Sequence, residues 1–194
     1  MNSRRHKTKF APAAFACLLA LGAAQSTAAL DLRGTAWERA AGEAGVDPYT
    51  IYAVALVESP ARRGPGRISP WPYAMHTPQG PQIYATRKAA AAALERLMRI
   101  YSPAELDVGL MQVNLRWHGT RVARPDDLLD PAINLRIGAQ ILAETLRSAP
   151  ADRVLGLGRY HTWRDVPARK YGARVIRVEQ RLTRKKRKSD ADRR

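Results

Sequence analysis

Cysteine and long apolar runs are the two features that this sequence most clearly lacks. The 194-residue chain has one cysteine, Cys17, which cannot form an intramolecular disulfide or supply a zinc site built on several thiolates. No apolar run reaches the roughly 18–20 residues that a membrane-spanning helix requires. Acidic residues are scarce as well, since 17 Asp and Glu stand against 33 Lys and Arg. A disulfide-stabilised fold and an integral membrane protein are therefore not expected.

The first 29 residues have the three parts of a secretory signal peptide. Residues 1–10 contain four basic side chains, residues 11–24 are apolar, and small residues follow as far as Ala29. We expect cleavage after Ala28 or Ala29 and export to the periplasm. The exported chain would then contain no cysteine, so that its core alone must stabilise it.

The positive charge is concentrated near the end of the sequence. Residues 30–167 contain 17 basic and 14 acidic side chains, whereas residues 168–194 contain 12 basic and 3 acidic ones. The densest run is residues 184–188. We expect residues 184–194 to form a disordered, solvated tail that can contact anionic surfaces. Nucleic acid is not an expected partner, because the signal peptide predicts export from the cytoplasm.

Capping and periodicity signals predict one mainly helical domain over residues 30–183. Asp47-Pro48 and Asp130-Pro131 each combine an N-cap with proline at the first helical position. Residues 60–85 hold six of the thirteen prolines, which predicts an irregular insertion with a hairpin near Gln79-Gly80. Helices are predicted over residues 35–44, 48–58, 86–101, 131–147, 151–163 and from 165 to the end of the domain.

Glu58 is the candidate for chemistry. It closes a helix that is apolar nearly all round, where a charged side chain is unusual unless it is paired or functional. Burial against apolar neighbours raises the pKa of a carboxyl group, which a general acid at neutral pH requires. The position alone also fits a glutamate that turns toward solvent at a helix end.

A wider pattern relates Glu58 to a known family. Glu58-Ser59 is followed by Gly-Leu-Met-Gln-Val-Asn at residues 109–114, by a helix with residues 134–138, and by Tyr160. This combination resembles the lysozyme-like soluble lytic transglycosylases, especially the small exported type that accompanies conjugation and type IV secretion machinery. The resemblance covers residues 37–182. It implies a mainly α, lysozyme-like single domain of the SLT type with a small β-hairpin insertion, acting as a monomer on peptidoglycan without a cofactor.

The resemblance also implies roles for particular residues. Glu58 would be the sole catalytic acid and base, and Tyr160 would donate a hydrogen bond to its carboxylate. Ser59 would help to orient the acetamido group of the substrate. The implied substrate-binding residues are Ser59, Met111, Gln112, Asn114 and Tyr160. The implied reaction cleaves the MurNAc-β-1,4-GlcNAc bond with help from the substrate's own N-acetyl group and forms 1,6-anhydroMurNAc.

Asp107 leaves a second mechanism open. The segment that begins at Asp107 is also similar to the one that bears the second carboxylate of animal-type lysozymes. If Asp107 lies across the cleft from Glu58, the protein could be a muramidase that uses water. Otherwise Asp107 makes an Asx-type turn. A third possibility is an inactive scaffold that binds glycan without cutting it.

Several other side chains are weaker candidates. Trp71, Tyr73 and Tyr84 in the insertion could stack on sugar faces or pack in the core. His161 follows Tyr160 where many relatives have asparagine, which changes the local hydrogen bonding. A metal site is not expected, because the spacing of the histidines matches no compact ligand motif; these histidines are His76, His118 and His161.

Overall fold

A computed structural model describes residues 30–191, and the signal peptide predicted for residues 1–29 lies outside the described residues. The helices are α1 (Ala36–Ala44), α2 (Pro48–Glu58), α3 (Arg87–Leu97), α4 (Leu115–His118), α5 (Pro131–Arg147), α6 (Arg153–Arg159) and α7 (Asp165–Ala191). The strands are β1 (Pro60–Arg62), β2 (Ile68–Pro70), β3 (Ala74–Thr77), β4 (Gly80–Ile83), β5 (Asp107–Val108) and β6 (Val113–Asn114). The prediction of a mainly helical domain with a small β insertion is confirmed.

α2 lies at the centre of the core because it is apolar on every side. The Asp47 carboxylate caps its first turn by accepting the backbone N–H of Tyr49 at 2.9 Å. Ile51 and Val54 are completely buried, and the helix packs against α1 and α7. The helix begins and ends where the sequence predicts. Its last residue, Glu58, therefore stands at the edge of the core.

The insertion folds into two small antiparallel sheets. β1 and β2 form a hairpin, while the second sheet has the strand order β4-β3-β5-β6. β3 and β4 pair Thr77 with Gly80 across a two-residue turn, which confirms the hairpin predicted near Gln79-Gly80. β5 joins the same sheet by pairing Val108 with Met75. The insertion thus holds the 107–114 segment in place beside the end of α2.

α6 and α7 cross with their backbones in close contact. A Cβ atom on Gly158 would lie 2.0 Å from the carbonyl oxygen of Ala168, and one on Gly172 would lie 1.9 Å from that of Val154. Only glycine fits at either position. α6 is shorter than the helix predicted over residues 151–163. It begins after Asp152, whose carboxylate accepts the backbone N–H of Leu155 at 3.0 Å, and it ends at Arg159. α3 likewise ends at Leu97, before the predicted end near residue 101.

The last helix corrects one expectation. α7 continues through the basic run to Ala191, whereas a disordered tail was predicted from residue 184. Arginine and lysine are good helix formers, and no glycine or proline stands after Gly172 to end the helix. Lys186 Nζ also lies 5.0 Å from the centre of the Tyr49 ring, which links the run to the domain. Within residues 30–191 no helix combines the length and the hydropathy needed to cross a bilayer.

Candidate active site

A cavity of about 750 Å³ lies where the end of α2, the β5–β6 segment, α5 and the α6–α7 connection meet. Five of the residues proposed from the sequence line it, and they come from four separate parts of the chain. These residues are Glu58, Asp107, Gln112, Asn114 and Tyr160. Ser59 and Met111 do not line it.

The carboxyl group of Glu58 is held in a largely apolar setting. Burial raises its pKa from 4.5 to about 7, and the negative charge of Asp107 acts in the same direction. The Tyr171 hydroxyl donates a hydrogen bond to Glu58 Oε1, which lowers the pKa, and the charge of Arg174 lowers it as well. The result is a carboxyl group that holds its proton near neutral pH and can also lose it.

The hydrogen-bond partner of Glu58 differs from the predicted one. Tyr160 lines the cavity, but its hydroxyl donates to the carbonyl oxygen of Met111 at 2.7 Å. Tyr171 on α7 takes the position beside Glu58, and the ring of His161 stacks on the Tyr171 ring with 4.9 Å between centroids. The sequence pattern did not single out Tyr171. The crossing of α6 and α7 turns its hydroxyl toward Glu58.

Asp107 faces the same cavity from β5. It stands opposite Asn114 in the β5–β6 ladder, and Asn114 Nδ2 donates to Asp107 Oδ1 at 2.8 Å. Burial raises the pKa of Asp107, while this hydrogen bond and the charges of His76 and His161 lower it. Because the negative charges of Asp107 and Glu58 disfavour each other, the two carboxyl groups do not ionise independently. Asn114 therefore orients Asp107 as well as lining the cavity.

The loop between β5 and β6 is strained and firmly tied. Gly109 has a φ of 84°, and a Cβ there would lie 2.2 Å from Asn134 Nδ2. Gln112 adopts a left-handed φ of 47°, stabilised by its Nε2 donating to the Gly109 carbonyl oxygen at 2.7 Å. A strained backbone of this kind is retained only where the surrounding contacts hold it in place, and it is common at functional sites.

Asn134 on α5 is the anchor of this loop. The side chain is completely buried, and its Oδ1 accepts the backbone N–H of Met111 at 2.8 Å. Its Nδ2 donates to the carbonyl oxygens of Val108 and Leu128 at 2.8 and 2.9 Å. Asn134 was part of the sequence pattern, but nothing in the pattern indicated this structural role.

Comparison with known proteins gives one match. A family model described as the transglycosylase SLT domain matches residues 35–189. The chain belongs to the SLT domain family. A search of curated proteins and a search of solved structures found no match. Membership of the family implies peptidoglycan as the substrate and cleavage of the lytic transglycosylase type.

Two residues that were expected to bind substrate instead support the SLT domain from inside. Ser59 is 2% exposed; its hydroxyl donates to the Leu110 carbonyl oxygen at 2.7 Å and accepts the backbone N–H of Trp71 at 3.2 Å. Met111 is completely buried, and its side chain fills the space left by the missing side chain of Gly138. Ser59 and Met111 are therefore too enclosed to touch a sugar.

The SLT-domain cavity also has two exposed tryptophans, which the sequence pattern did not single out. Trp117 and Trp163 line it with 70% and 67% of their surfaces exposed. The Arg159 guanidinium lies 4.9 Å from the centre of the Trp163 ring. An exposed tryptophan ring that has a cation over one face can offer its other flat, apolar face to a sugar ring. Their position next to the Gly-Leu-Met-Gln-Val-Asn and Tyr160 segments was the only available signal.

The insertion aromatics have a different role in this SLT domain. None of the three lines the cavity. Trp71 Nε1 donates to the Tyr84 carbonyl oxygen at 2.7 Å, and its ring meets the Tyr73 ring edge-on at 5.8 Å. They hold the insertion together, which was the alternative left open. Among the described residues, no group of three or more His, Cys, Asp or Glu is arranged to hold a metal ion.

Proposed function

We propose that the protein is an exported lytic transglycosylase that cleaves the MurNAc-β-1,4-GlcNAc bond and forms 1,6-anhydroMurNAc. Glu58 is the sole general acid and base. The enzyme opens the peptidoglycan wall locally for a conjugation or secretion apparatus. The observation that carries the chemistry is the position of Glu58: at the end of a buried helix, open to a cavity, hydrogen-bonded by Tyr171, with a pKa near 7.

The reaction follows from the two protonation states of Glu58. The neutral acid gives its proton to the glycosidic oxygen as the bond to C1 breaks, because an unprotonated sugar oxygen is a poor leaving group. The N-acetyl carbonyl of the same MurNAc stabilises the positive charge at C1, as in substrate-assisted glycosidases. The Glu58 carboxylate then removes the proton of the C6 hydroxyl, whose oxygen attacks C1. The ring closes, Glu58 regains its proton, and no water is consumed.

Tyr171 and the cavity walls support these steps. The Tyr171 hydroxyl stabilises the carboxylate that forms after the first proton transfer and fixes its orientation for the second. The raised pKa of Tyr160, which is well above its usual value because of burial, keeps that hydroxyl a donor to Met111. Tyr160 therefore holds the strained loop against the cavity throughout the reaction.

Analysis of digested sacculi tests the proposal. The purified protein should release muropeptides whose mass is one water lower than that of the reducing products of hydrolysis. Glu58→Gln should abolish release while preserving the circular dichroism spectrum. Glu43→Gln, which changes an exposed carboxylate on α1, is the matched control and should keep full activity. Release of anhydro-muropeptides by Glu58→Gln would refute the proposed role of Glu58.

Water-using hydrolysis is the second candidate, favoured by Asp107. That carboxylate lines the same cavity, and its charge acts on Glu58. Asp107→Asn separates the mechanisms: the lyase should still make anhydro products, whereas a lysozyme-type enzyme should lose its reducing products. Sacculus binding without any product would instead favour the inactive scaffold.

Export and cellular role need their own tests. N-terminal sequencing of the protein recovered from the periplasm should find a start at residue 29 or 30. A strain that lacks the gene should show reduced conjugation or secretion, and the parent gene should restore it whereas the Glu58→Gln gene should not. Full restoration by Glu58→Gln would favour the scaffold.

A further inference from the structure

Five cations form a single line along α7, which we name the cationic ridge. Its members are Lys170, Arg174, Arg177, Arg181 and Arg184, and all five are exposed. Their alternating spacing of four and three residues places them on one face of the helix. At 1.5 Å per residue the line is about 21 Å long.

The cationic ridge is not neutralised within the described part of the chain. The ion pairs on α7 use other side chains: Arg169 pairs with Asp152 and Asp165, and Glu179 pairs with Arg153. None of the five ridge cations takes part in an ion pair among residues 30–191. Like charges three and four residues apart destabilise a helix. The ridge therefore has an energetic cost that an anionic ligand would remove.

The ridge comes close to the candidate active site at Arg174. Arg174 is one turn from Tyr171, and its charge acts on both Glu58 and Tyr171. From there the ridge leads away from the cavity along α7. A ligand attached to a sugar in the cavity could therefore continue directly onto the ridge.

The other face of α7 cannot insert into a bilayer. Ala168 and Val175 are completely buried, and Tyr171 is nearly so, because this face packs on the core. Helices that lie in a membrane surface bury an apolar face there, which α7 cannot offer. The ridge can thus act only through its charge.

We propose that the cationic ridge binds the carboxylates of peptidoglycan stem peptides, on the strand in the cavity and on its cross-linked neighbours. The proposal rests on the proposed function. The glycan backbone itself carries no charge, whereas the free carboxyl groups of its peptides are anionic. Charge complementarity and the closeness of Arg174 to Glu58 both point to this part of the substrate.

Pelleting with purified sacculi tests the proposal without any dependence on catalysis. All binding is measured with Glu58→Gln protein, so that the sacculi stay intact. The ridge variant adds Arg177→Gln, Arg181→Gln and Arg184→Gln, which leaves Arg174 unchanged. The matched control adds Arg87→Gln, Lys88→Gln and Arg96→Gln, three exposed cations on α3 that are in no ion pair among the described residues.

The ridge variant should bind intact sacculi about tenfold more weakly at low ionic strength, because each exposed charge pair contributes about a factor of two. The difference should shrink as salt is added. The control should bind like the Glu58→Gln parent. On sacculi whose free carboxyl groups have been converted to methylamides with a carbodiimide and methylamine, the ridge variant should bind no more weakly than the parent.

Three results would overturn the proposal. The first is equal binding of parent and ridge variant to intact sacculi. The second is an undiminished difference between them on sacculi whose carboxyl groups have been amidated. The third is ridge-dependent binding to phosphatidylglycerol vesicles without ridge-dependent binding to sacculi, which would make a lipid surface the ligand. Failure of the protein with its natural Glu58 to make anhydro products would count against the proposed function alone, since none of these binding measurements uses activity.

Discussion

Replacing Glu58 with glutamine should make the protein more stable, and by an amount that depends on pH. The pKa of Glu58 is about 7 in the folded protein, and burial is the main cause. In the unfolded chain the carboxyl group has its ordinary pKa of 4.5. Glutamine has a similar shape, carries no charge, and can still accept the Tyr171 hydrogen bond through Oε1. The substitution therefore removes the cost of burying a carboxylate and little else.

The size and sign of the effect follow from proton linkage. Below about pH 4.5 Glu58 is protonated in both the folded and the unfolded state, so its ionisation does not change the free energy of unfolding. Between pH 4.5 and 7 the unfolded chain releases the proton while the folded protein keeps it, and stability falls as the pH rises. Above pH 7 the full difference is about 3 kcal/mol, at 1.36 kcal/mol for each pKa unit. Glu58→Gln should regain this amount.

Urea unfolding of both proteins across pH 4–8.5 measures the difference directly. The free energy of unfolding of Glu58→Gln should match that of the parent at pH 4 and exceed it by about 3 kcal/mol at pH 8. Glu43→Gln, at an exposed position, should differ from the parent by less than about 0.5 kcal/mol at every pH. A pH-independent difference at Glu58, or lower stability of the variant at pH 8, would refute the claim that burial holds the proton.

Three further predictions concern the hydrogen bond to Glu58, the crossing of α6 and α7, and the sugar-binding surface. Tyr171→Phe removes a hydrogen bond that lowers the pKa of Glu58, so kcat should fall about tenfold and the alkaline limb of the pH–rate profile should move to higher pH; an unchanged limb would count against the contact. Gly172→Ala should destabilise the protein by more than about 2 kcal/mol in urea unfolding, because its Cβ would lie 1.9 Å from a backbone oxygen of α6. As a control, Gly42→Ala on the exposed side of α1 should stabilise the protein by about 0.5–1 kcal/mol. Trp163→Ala should raise the KM for sacculi by between about twofold and tenfold and leave the urea midpoint unchanged, since that side chain is 67% exposed; an unchanged KM would remove it from the binding surface.

The sequence predicts the parts of this fold whose causes are local. Asp47-Pro48 and Asp130-Pro131 are strong start signals, and both helices begin there because cap and proline act within a single turn. The hairpin at residues 77–80 is also specified by its own turn residues. The basic run is different: its charge density predicts disorder, whereas its helix propensity and the absence of any breaker after Gly172 favour the helix that the structure shows as far as Ala191.

The site was predictable in its location but not in its contacts. Glu58 and the 109–114 segment stood out because of residue type and pattern, and Glu58 and residues 112–114 line the cavity. The partner of Glu58 was not predictable, because Tyr160 and Tyr171 are both inward-facing aromatics on neighbouring helices. Which hydroxyl reaches the carboxylate depends on the close crossing of α6 and α7, which is a tertiary property. The role of Ser59 was not predictable for the same reason. Its hydroxyl forms hydrogen bonds with backbone groups of loops that only the folded structure brings beside it.

The arrangement of the site explains why the catalytic candidate stands at the end of α2. A carboxyl group in the middle of that helix would be fully enclosed and could not reach a substrate, while one on an exposed helix would ionise at its ordinary pKa. At the last turn, apolar neighbours raise the pKa and the cavity still gives access. The remaining contacts then set its orientation: Tyr171 from α7 holds the carboxylate, and Asn134 from α5 holds the strained loop on the opposite side. A protonated acid of defined direction therefore requires the packed core, and loosening α5 or α7 should impair catalysis before it unfolds the domain.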